Sequence, residues 1–313
     1  MAVIVVSYVL DRYMFRNKSK GGRLCSEVWK MKRKIDHKVL QIVFNYGDKD
    51  LKNRSFEEIR DYEYVVTGPA YKDFTPRTLK GCKKDDICPT LNTLAKDLYE
   101  FIHRDDIKSQ KDYNVWHKET CEKFKNNFNS KFNGGEIKFG KAQKIVNMSF
   151  KYLFCFDDSQ QEKYADKFRY CHMPLDSYTL DWFSKKVLPK YNECKEKDNK
   201  IKAGKIKETS WSSLEYGEEH EEYSYAWIQN EIRNYLNSED NQYVDENGNN
   251  LSPFIAEFYI WPEQQLKSAC NSFLKLEKNL LNQKNLCYTD YKIIEYSVEL
   301  CKIADILKKE LEL

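Results

Sequence analysis

The sequence predicts a mainly α protein with one small β-hairpin. Apolar residues recur at helical spacing along most of the chain, which is the pattern of amphipathic helices. Glycines and prolines concentrated between residues 45 and 90 indicate a turn-rich connector. The segment 243–261 combines an Asn-Gly turn with an apolar run, a pattern typical of a β-hairpin.

The helices are predicted from apolar spacing and from their start signals, such as the capping-box spacing of Ser55-Phe-Glu-Glu58. Pro174 followed by Asp176 is a further helix start. In chain order the predicted helices are Glu27–Phe44, residues 56–64, Thr90–His103, Val115–Phe128, Lys141–Phe156, Tyr178–Val187, Ser224–Leu236, Pro262–Asn282 and Tyr288–Leu313.

Composition narrows the class of protein. The chain has 52 basic and 49 acidic residues, a net charge of +3, so binding to nucleic acid would require a local basic patch. Its 10 cysteines include no Cys-x-x-Cys pair, which favours reduced thiols and a cytoplasmic location. The apolar opening Ala2–Leu10 is far shorter than the roughly 20 residues of a membrane helix, so we expect no membrane association.

Charge also suggests how the chain is divided. A lysine-rich run, 185–207, is followed by an acidic run, 215–222, and together they resemble a solvated linker. We therefore expect a helical part at 1–190, a charged arm at 191–223 and a C-terminal hairpin with helices at 224–313.

The most informative segment runs from Asn133 to Phe183 and contains Lys144 and Asp176. Lys144 lies near a predicted helix start, where the helix dipole favours the neutral amine, the nucleophilic form. Asp176 lies at the next helix start, where a carboxylate can stabilise a developing cation or move a proton. An amine that attacks a sugar carbon beside such a carboxylate can excise a base from a nucleotide, which must first leave the base stack.

The two sequences around these residues resemble the helix-hairpin-helix DNA glycosylases, in the lysine-bearing branch of 8-oxoguanine and archaeal-type 8-oxoguanine glycosylases. Gly140-Lys-Ala-Gln-Lys144 resembles the turn and helix that carry the family's Schiff-base lysine. His172-Met-Pro174-Leu-Asp176 resembles the later sequence that supplies the catalytic aspartate. The separation, 176 − 144 = 32 residues, is similar to that of archaeal-type members.

The resemblance implies a two-lobed helix-hairpin-helix glycosylase-like fold, a DNA N-glycosylase activity, possible strand cleavage through the Schiff base, and no cofactor. Lys144 would be the nucleophile, with Lys141 as the alternative, and Asp176 its partner. The substrate would be double-stranded DNA with a flipped base, bound by a monomer; repair and attack on modified foreign DNA both fit. Base contacts are expected from His172, Tyr178 and Trp182, and DNA contacts from Gly134, Gly135, Lys138, Gly140, Lys141 and Lys151.

Two alternatives remain open at this point. The first is a non-catalytic helical protein that binds nucleic acid or another protein, in which Lys144 is a surface charge and Asp176 an ordinary helix cap. The second is a metal-dependent nuclease, for which Glu257 is a candidate acid without a recognisable partner. We expect no metal site, because the His, Cys and carboxylate residues lack ligand spacing.

Overall fold

A computed structural model describes residues 66–72, 84–131, 136–156, 163–193, 195–196, 199–208, 210–245 and 247–281. The chain divides into two compact units, Lys34–Tyr259 and a second formed by Met1–Arg33 with Ile260–Leu313. The expected division at 190 and 223 stays a prediction. The helices predicted at Glu27–Phe44, 56–64 and Tyr288–Leu313 lie outside the described residues.

The described part is mainly α-helical, as predicted, whereas the glycosylase-like arrangement of its helices stays a prediction. The helices are α1 Lys84–His103, α2 Gln110–Asn129, α3 Phe139–Phe156, α4 Ala165–Phe168, α5 Ser177–Trp182, α6 Leu188–Glu193, α7 Ala203–Glu208, α8 Tyr225–Leu236 and α9 Pro253–Leu281. Among them, none combines the length and apolarity that crossing a membrane requires.

Helix α3 is the central helix of the larger unit. The spacing of apolar residues in this helix predicts one buried stripe, with Lys141, Lys144, Met148 and Lys151 on the neighbouring face. Instead, every residue from 142 to 155 is buried except Lys144, so neighbouring elements cover the helix on all sides. A helix buried all round is typical of a domain core, and here it leaves Lys144 as the point at which this stretch reaches solvent.

Aromatic rings join α3 to its neighbours. Phe150 contacts Phe101 of α1 and Trp116 of α2 in edge-to-face geometry, with ring centroids 5.4 and 5.7 Å apart. One turn further on, Phe154 contacts Phe168 at the end of α4 and Phe254 at the start of α9. Edge-to-face pairs add specific attraction to area burial, so these contacts fix the position of α3 in the unit.

The chain enters α5 through a buried extended segment, 171–175. Helix α5 then continues without a break through a π-helical turn, Phe183–Val187, into α6. The predicted helix Tyr178–Val187 was therefore correct in its type and start and too short at its end. Trp182 and Phe183 are both buried on the inner face of this continuous helix.

Part of the predicted charged arm is packed rather than solvated. Ile201, Ile206 and Leu214 are buried, and α7 forms at the end of the lysine-rich run. These three apolar residues can pack against the rest of the unit although the segment is highly charged, because long lysine and glutamate side chains can still reach water. The amino-acid composition of 191–223 was therefore not sufficient to predict which of its residues are buried.

The predicted β-hairpin is wrong. A single antiparallel bridge joins Val244 to Asn250, but the apolar run after it is the first part of α9. Ser252 precedes Pro253 at the helix start, and its hydroxyl accepts a hydrogen bond from the N–H of Ile255. A serine cap with proline at the first helical position is a start signal that the strand interpretation overlooked.

Gly140 allows the chain that follows α7 to approach the start of α3. Its N–H donates to the carbonyl of Leu214 at 2.8 Å, and a Cβ added there would lie 1.9 Å from the carbonyl oxygen of Trp211. Gly140→Ala is expected to lower the free energy of unfolding by about 1–3 kcal/mol, because the backbone must move apart. Urea unfolding measures this loss.

Gly204 in α7 provides the matched control, because a Cβ there would meet nothing within 4 Å. Gly204→Ala should leave stability unchanged or raise it by about 0.5–1 kcal/mol, the usual gain of alanine over glycine in a helix. Equal effects of the two substitutions would show that the close approach at Gly140 does not contribute to stability.

Candidate functional site

Lys144 and Asp176, 32 residues apart in the chain, form an ion pair. Lys144 Nζ donates to Asp176 Oδ2 at 2.7 Å, and the two side chains are 15% and 14% exposed. A pair this far from bulk water is screened weakly by salt. The expected proximity of these two residues is therefore present, whereas their chemical roles stay a prediction.

The other oxygen of Asp176 caps α5. Oδ1 accepts from the N–H groups of Tyr178 at 2.9 Å and Thr179 at 3.0 Å, and Thr179 Oγ1 accepts from the N–H of Asp176. Burial alone would raise the pKa of Asp176, but the charge and hydrogen bond of Lys144 and the Thr179 N–H outweigh it, so this pKa lies below its ordinary value. Asp176 is consequently ionised at neutral pH.

A second ion pair lies further along α3. Lys151, two turns beyond Lys144, is paired with Glu257 of α9, and the two side chains are 2% and 0% exposed. Burial raises the pKa of Glu257 against the opposing effect of Lys151. Lys151 also acts on Asp176, and Lys144 on Glu257, so the two pairs form one electrostatically coupled cluster. Glu257 Oε1 is buried without a hydrogen-bond partner among the described residues.

Gln143 holds the approach to Asp176 in place. Its side-chain amide bonds to both backbone groups of Leu175: Nε2 donates to the carbonyl at 3.0 Å and Oε1 accepts from the N–H at 3.3 Å. Because Gln143 precedes Lys144 and Leu175 precedes Asp176, this two-point bond joins the residues adjacent to the ion pair. Gln229 of α8 binds Met173 in the same way, at 2.7 and 3.2 Å.

His172 and His117 belong to a buried polar network behind this segment. His172 Nδ1 lies 3.0 Å from the hydroxyl of Tyr225, and His117 Nε2 lies 2.9 Å from Asn147 Oδ1. Burial lowers the pKa of His117 to about 3 despite its hydrogen bond with Asn147, and it lowers that of His172 as well. Both imidazoles are therefore neutral at pH 7, and the network links α2, α3 and α8.

The expected base-contacting residues occupy three different environments. His172 is in the buried network, and Trp182 is packed edge-on against Tyr235 and Tyr243 in the core. Tyr178 is half-buried at the start of α5, next to Asp176. Of the three, Tyr178 alone is partly exposed beside Asp176, whereas His172 and Trp182 are buried.

The expected DNA contacts are also divided. Lys138 is exposed and forms an ion pair with Glu215 at 3.0 Å, and Lys141 is half-buried. Lys151 is buried with Glu257, and the N–H of Gly140 is bonded to Leu214, so phosphate contacts at these two residues do not fit the structure. Gly134 and Gly135 lie outside the described residues.

Sequence reasoning overlooked Gln143, Asn147 and Tyr225, which connect the two halves of the site. Polar residues at inward positions of a predicted apolar helix were the available signal, because buried amides require partners. Within the described ranges, no three His, Cys, Asp or Glu side chains come together as metal ligands do. The thiols of Cys88, Cys121, Cys155 and Cys171 are free.

Comparison of the chain with models of known protein families, with curated proteins and with solved structures gave no match. The resemblance to the helix-hairpin-helix glycosylases therefore rests on the residues around Lys144 and Asp176.

Because Asp176 is ionised, the free energy of unfolding should decrease at acid pH. The pKa of Asp176 in the folded protein lies below the ordinary 3.8, so its contribution to the free energy of unfolding is fully present above pH 3.8 and is lost as the pH falls through the pKa of the folded protein. Asp176→Asn keeps a good helix cap but loses the charge, which should cost about 1–2 kcal/mol at pH 7. Thermal unfolding from about pH 7 to about pH 2.5 should show this difference shrinking in acid.

Asp105→Asn, a change at an exposed position, serves as the control and should leave the wild-type profile unaltered. A difference between the wild type and Asp176→Asn that stays constant over the whole range would contradict the assignment of an ionised, paired carboxylate.

Gln143→Met tests the two-point bond to Leu175. Methionine has a similar volume but no amide, so the buried N–H and carbonyl of Leu175 lose their partner, and the free energy of unfolding should fall by about 2–4 kcal/mol. Gln229→Met should cost a similar amount. Gln242→Met, at an exposed position, should stay within about 0.5 kcal/mol of the wild type in urea unfolding. Equal values for Gln143→Met and Gln242→Met would rule out this role.

Proposed function

We propose that this protein is a lysine-dependent DNA N-glycosylase in which Lys144 is the nucleophile and Asp176 its electrostatic partner. One observation supports the proposal above all: the 2.7 Å ion pair between these residues, mostly shielded from water, at the single solvent-reaching position of the central helix between residues 142 and 155. A shielded amine beside a fixed carboxylate suits nucleophilic attack with charge development.

In the proposed reaction the amine of Lys144 attacks C1′ of the target nucleotide as the glycosidic bond breaks. The electron pair of that bond leaves with the base, which takes up the proton that the lysine nitrogen loses. Opening of the sugar ring, in which the ring oxygen O4′ takes a proton from solvent, then gives a protonated Schiff base, and water releases an abasic site. Asp176 is ionised, so its first role is to stabilise the positive charge that develops on the sugar.

The surroundings of the pair indicate how substrate and site would meet. Lys144 donates to Asp176 in the resting protein, so the amine must lose a proton before it attacks. Tyr178, half-buried beside the carboxylate, is positioned to contact an extruded nucleotide. The DNA backbone would contact exposed lysines near the start of α3, with Lys138 the first candidate.

A structural role for the pair is the principal rival. Both Asp176 oxygens accept hydrogen bonds, from the α5 backbone and from Lys144, so the pair would stabilise a helix start even in a protein without catalytic activity. Under this alternative the protein is a helical binding protein, and substitution of Lys144 would change its stability but leave its activity in place.

Borohydride trapping separates the two alternatives. The wild-type protein is incubated with duplexes that each carry an oxidised, deaminated or alkylated base, and covalent complexes are counted after reduction. At least one duplex should give a trapped complex. Lys144→Gln should abolish it, because no Schiff base can form, and Asp176→Asn should slow base release by about 10²-fold.

Lys141→Gln and Lys138→Gln remove neighbouring charges and should still be trapped, although weaker DNA binding is expected. Loss of trapping in Lys141→Gln alone would show that the nucleophile is Lys141, about one helical turn before Lys144. Absence of both trapping and base release on every duplex, from a protein whose unfolding transition is intact, would refute the proposal and favour the binding protein.

A further inference from the structure

A cavity of about 460 Å³ lies in the larger unit at the far end of α8. Phe154, Leu236 and Pro253 contribute an apolar floor, and the remaining wall includes Arg169 and Arg233. Its volume is within the range of small-molecule sites, which combine an apolar lining with a few polar groups. None of these residues belongs to the Lys144–Asp176 pair.

Arg233 is the unusual member of this lining. It is largely buried, and within the described part no ion pair, hydrogen bond or ring contact joins its guanidinium group to another residue. The nearest acid that acts on it is Glu219, whose carboxylate is exposed and accepts from Asn114 at 3.2 Å. Burial lowers the pKa of Arg233 against the opposing effects of Tyr113, Cys171 and Glu219.

A largely buried guanidinium without a hydrogen-bonded counter-ion is costly, because the electrostatic effect of the exposed Glu219 does not replace the hydrogen bonds that arginine loses with its hydration. Its nitrogens are planar donors that match phosphate or carboxylate oxygens two at a time. Arg169, which also lines the cavity, is exposed, and its guanidinium donates to the hydroxyl of Tyr170, lies over the ring of that residue and has a 3.5 Å ion pair with Asp166. The cavity therefore offers the guanidinium of Arg233 above an apolar floor, with a second positive charge from Arg169 at its wall.

Carboxamide residues also line the cavity, namely Gln110, Asn237 and Asn250, together with the hydroxyl-bearing Ser252. The amide nitrogen of Gln110 donates to Asn114 and Tyr170, and Asn250 Oδ1 accepts from Asn241, so Asn237 is the first candidate to contact a ligand. Carboxamides supply both donors and acceptors, which is the combination that pairs with the edge of a nucleobase. An anion with a flat, partly apolar body fits this lining better than a bare inorganic ion.

We propose that this cavity binds a nucleotide, with the phosphate on Arg233, the base or sugar over the apolar floor, and the carboxamides at the base edge. The nucleotide is either free or part of a bound DNA strand, since both present the same phosphate and base. The proposal does not depend on the chemistry assigned to Lys144.

Isothermal titration calorimetry of the full chain tests the proposal with deoxynucleoside monophosphates, the matching deoxynucleosides and inorganic phosphate. At least one monophosphate should bind tenfold or more tightly than its nucleoside and than phosphate. Arg233→Gln should weaken that binding at least tenfold, and Arg233→Lys should restore it only in part, because an ammonium cannot bind bidentately. Arg104→Gln, which removes an exposed arginine outside the cavity, should bind normally.

A second arm uses a short DNA duplex. Failure of every monophosphate to bind, together with a tenfold loss of duplex affinity in Arg233→Gln but not Arg104→Gln, would support the proposal with the strand as source. No effect of Arg233→Gln on either ligand would overturn it, as would binding of inorganic phosphate as tight as that of the best nucleotide.

Thermal unfolding without ligand distinguishes a ligand site from a structural arginine. Arg233→Gln should keep or raise Tm, because it removes a charge that has no partner, and it should abolish the rise of about 2–4 °C that saturating nucleotide gives the wild type. A Tm that falls by several degrees without ligand would show that Arg233 serves the fold, and would count against the proposal.

Discussion

The arrangement of this protein depends on how the backbone of one buried extended segment, 171–175, is satisfied. In place of a neighbouring strand, glutamine side chains from two helices bind it: Gln229 at Met173 and Gln143 at Leu175. Buried peptide groups are costly to leave without partners, so each amide fixes both the position and the direction of the chain. Asp176 is the next residue in the chain, so the bonds that fix Leu175 also fix the position of Asp176.

The same amide that fixes Leu175 belongs to the helix that carries Lys144. The lysine and the aspartate are thus located by a neutral contact between their neighbours in addition to their own ion pair. Such an arrangement keeps the two charges in register even when one of them changes partner or protonation state, which is the preorganisation that catalysis by charge stabilisation needs. Around it, the His117 and His172 network holds α2 and α8 against the central helix.

The sequence was sufficient to predict helices α1, α2, α3, α5 and α8 and the cap at Asp176, because these depend on local spacing and order, whereas the short helices α4, α6 and α7 were not predicted. The proximity of Asp176 to Lys144 was expected from the resemblance alone. The sequence was insufficient for Gln143 and Tyr225, whose partners lie 32 and 78 residues away in the chain. The apolar run 254–261 was misinterpreted as a strand because short apolar runs have no decisive period. Lys151 was expected at the surface, because the sequence around it gives no sign that Glu257 is its ion-pair partner.

The coupled cluster of Lys144, Asp176, Lys151 and Glu257 sums to zero charge within a small, mostly dry volume. Loss of any single member leaves an uncompensated charge, whereas replacement of Lys151 and Glu257 together by apolar residues of similar size can be neutral or even stabilising. In related sequences, positions 151 and 257 should therefore covary. Paired substitution at these positions would identify the sequences that keep this arrangement of α3 and α9.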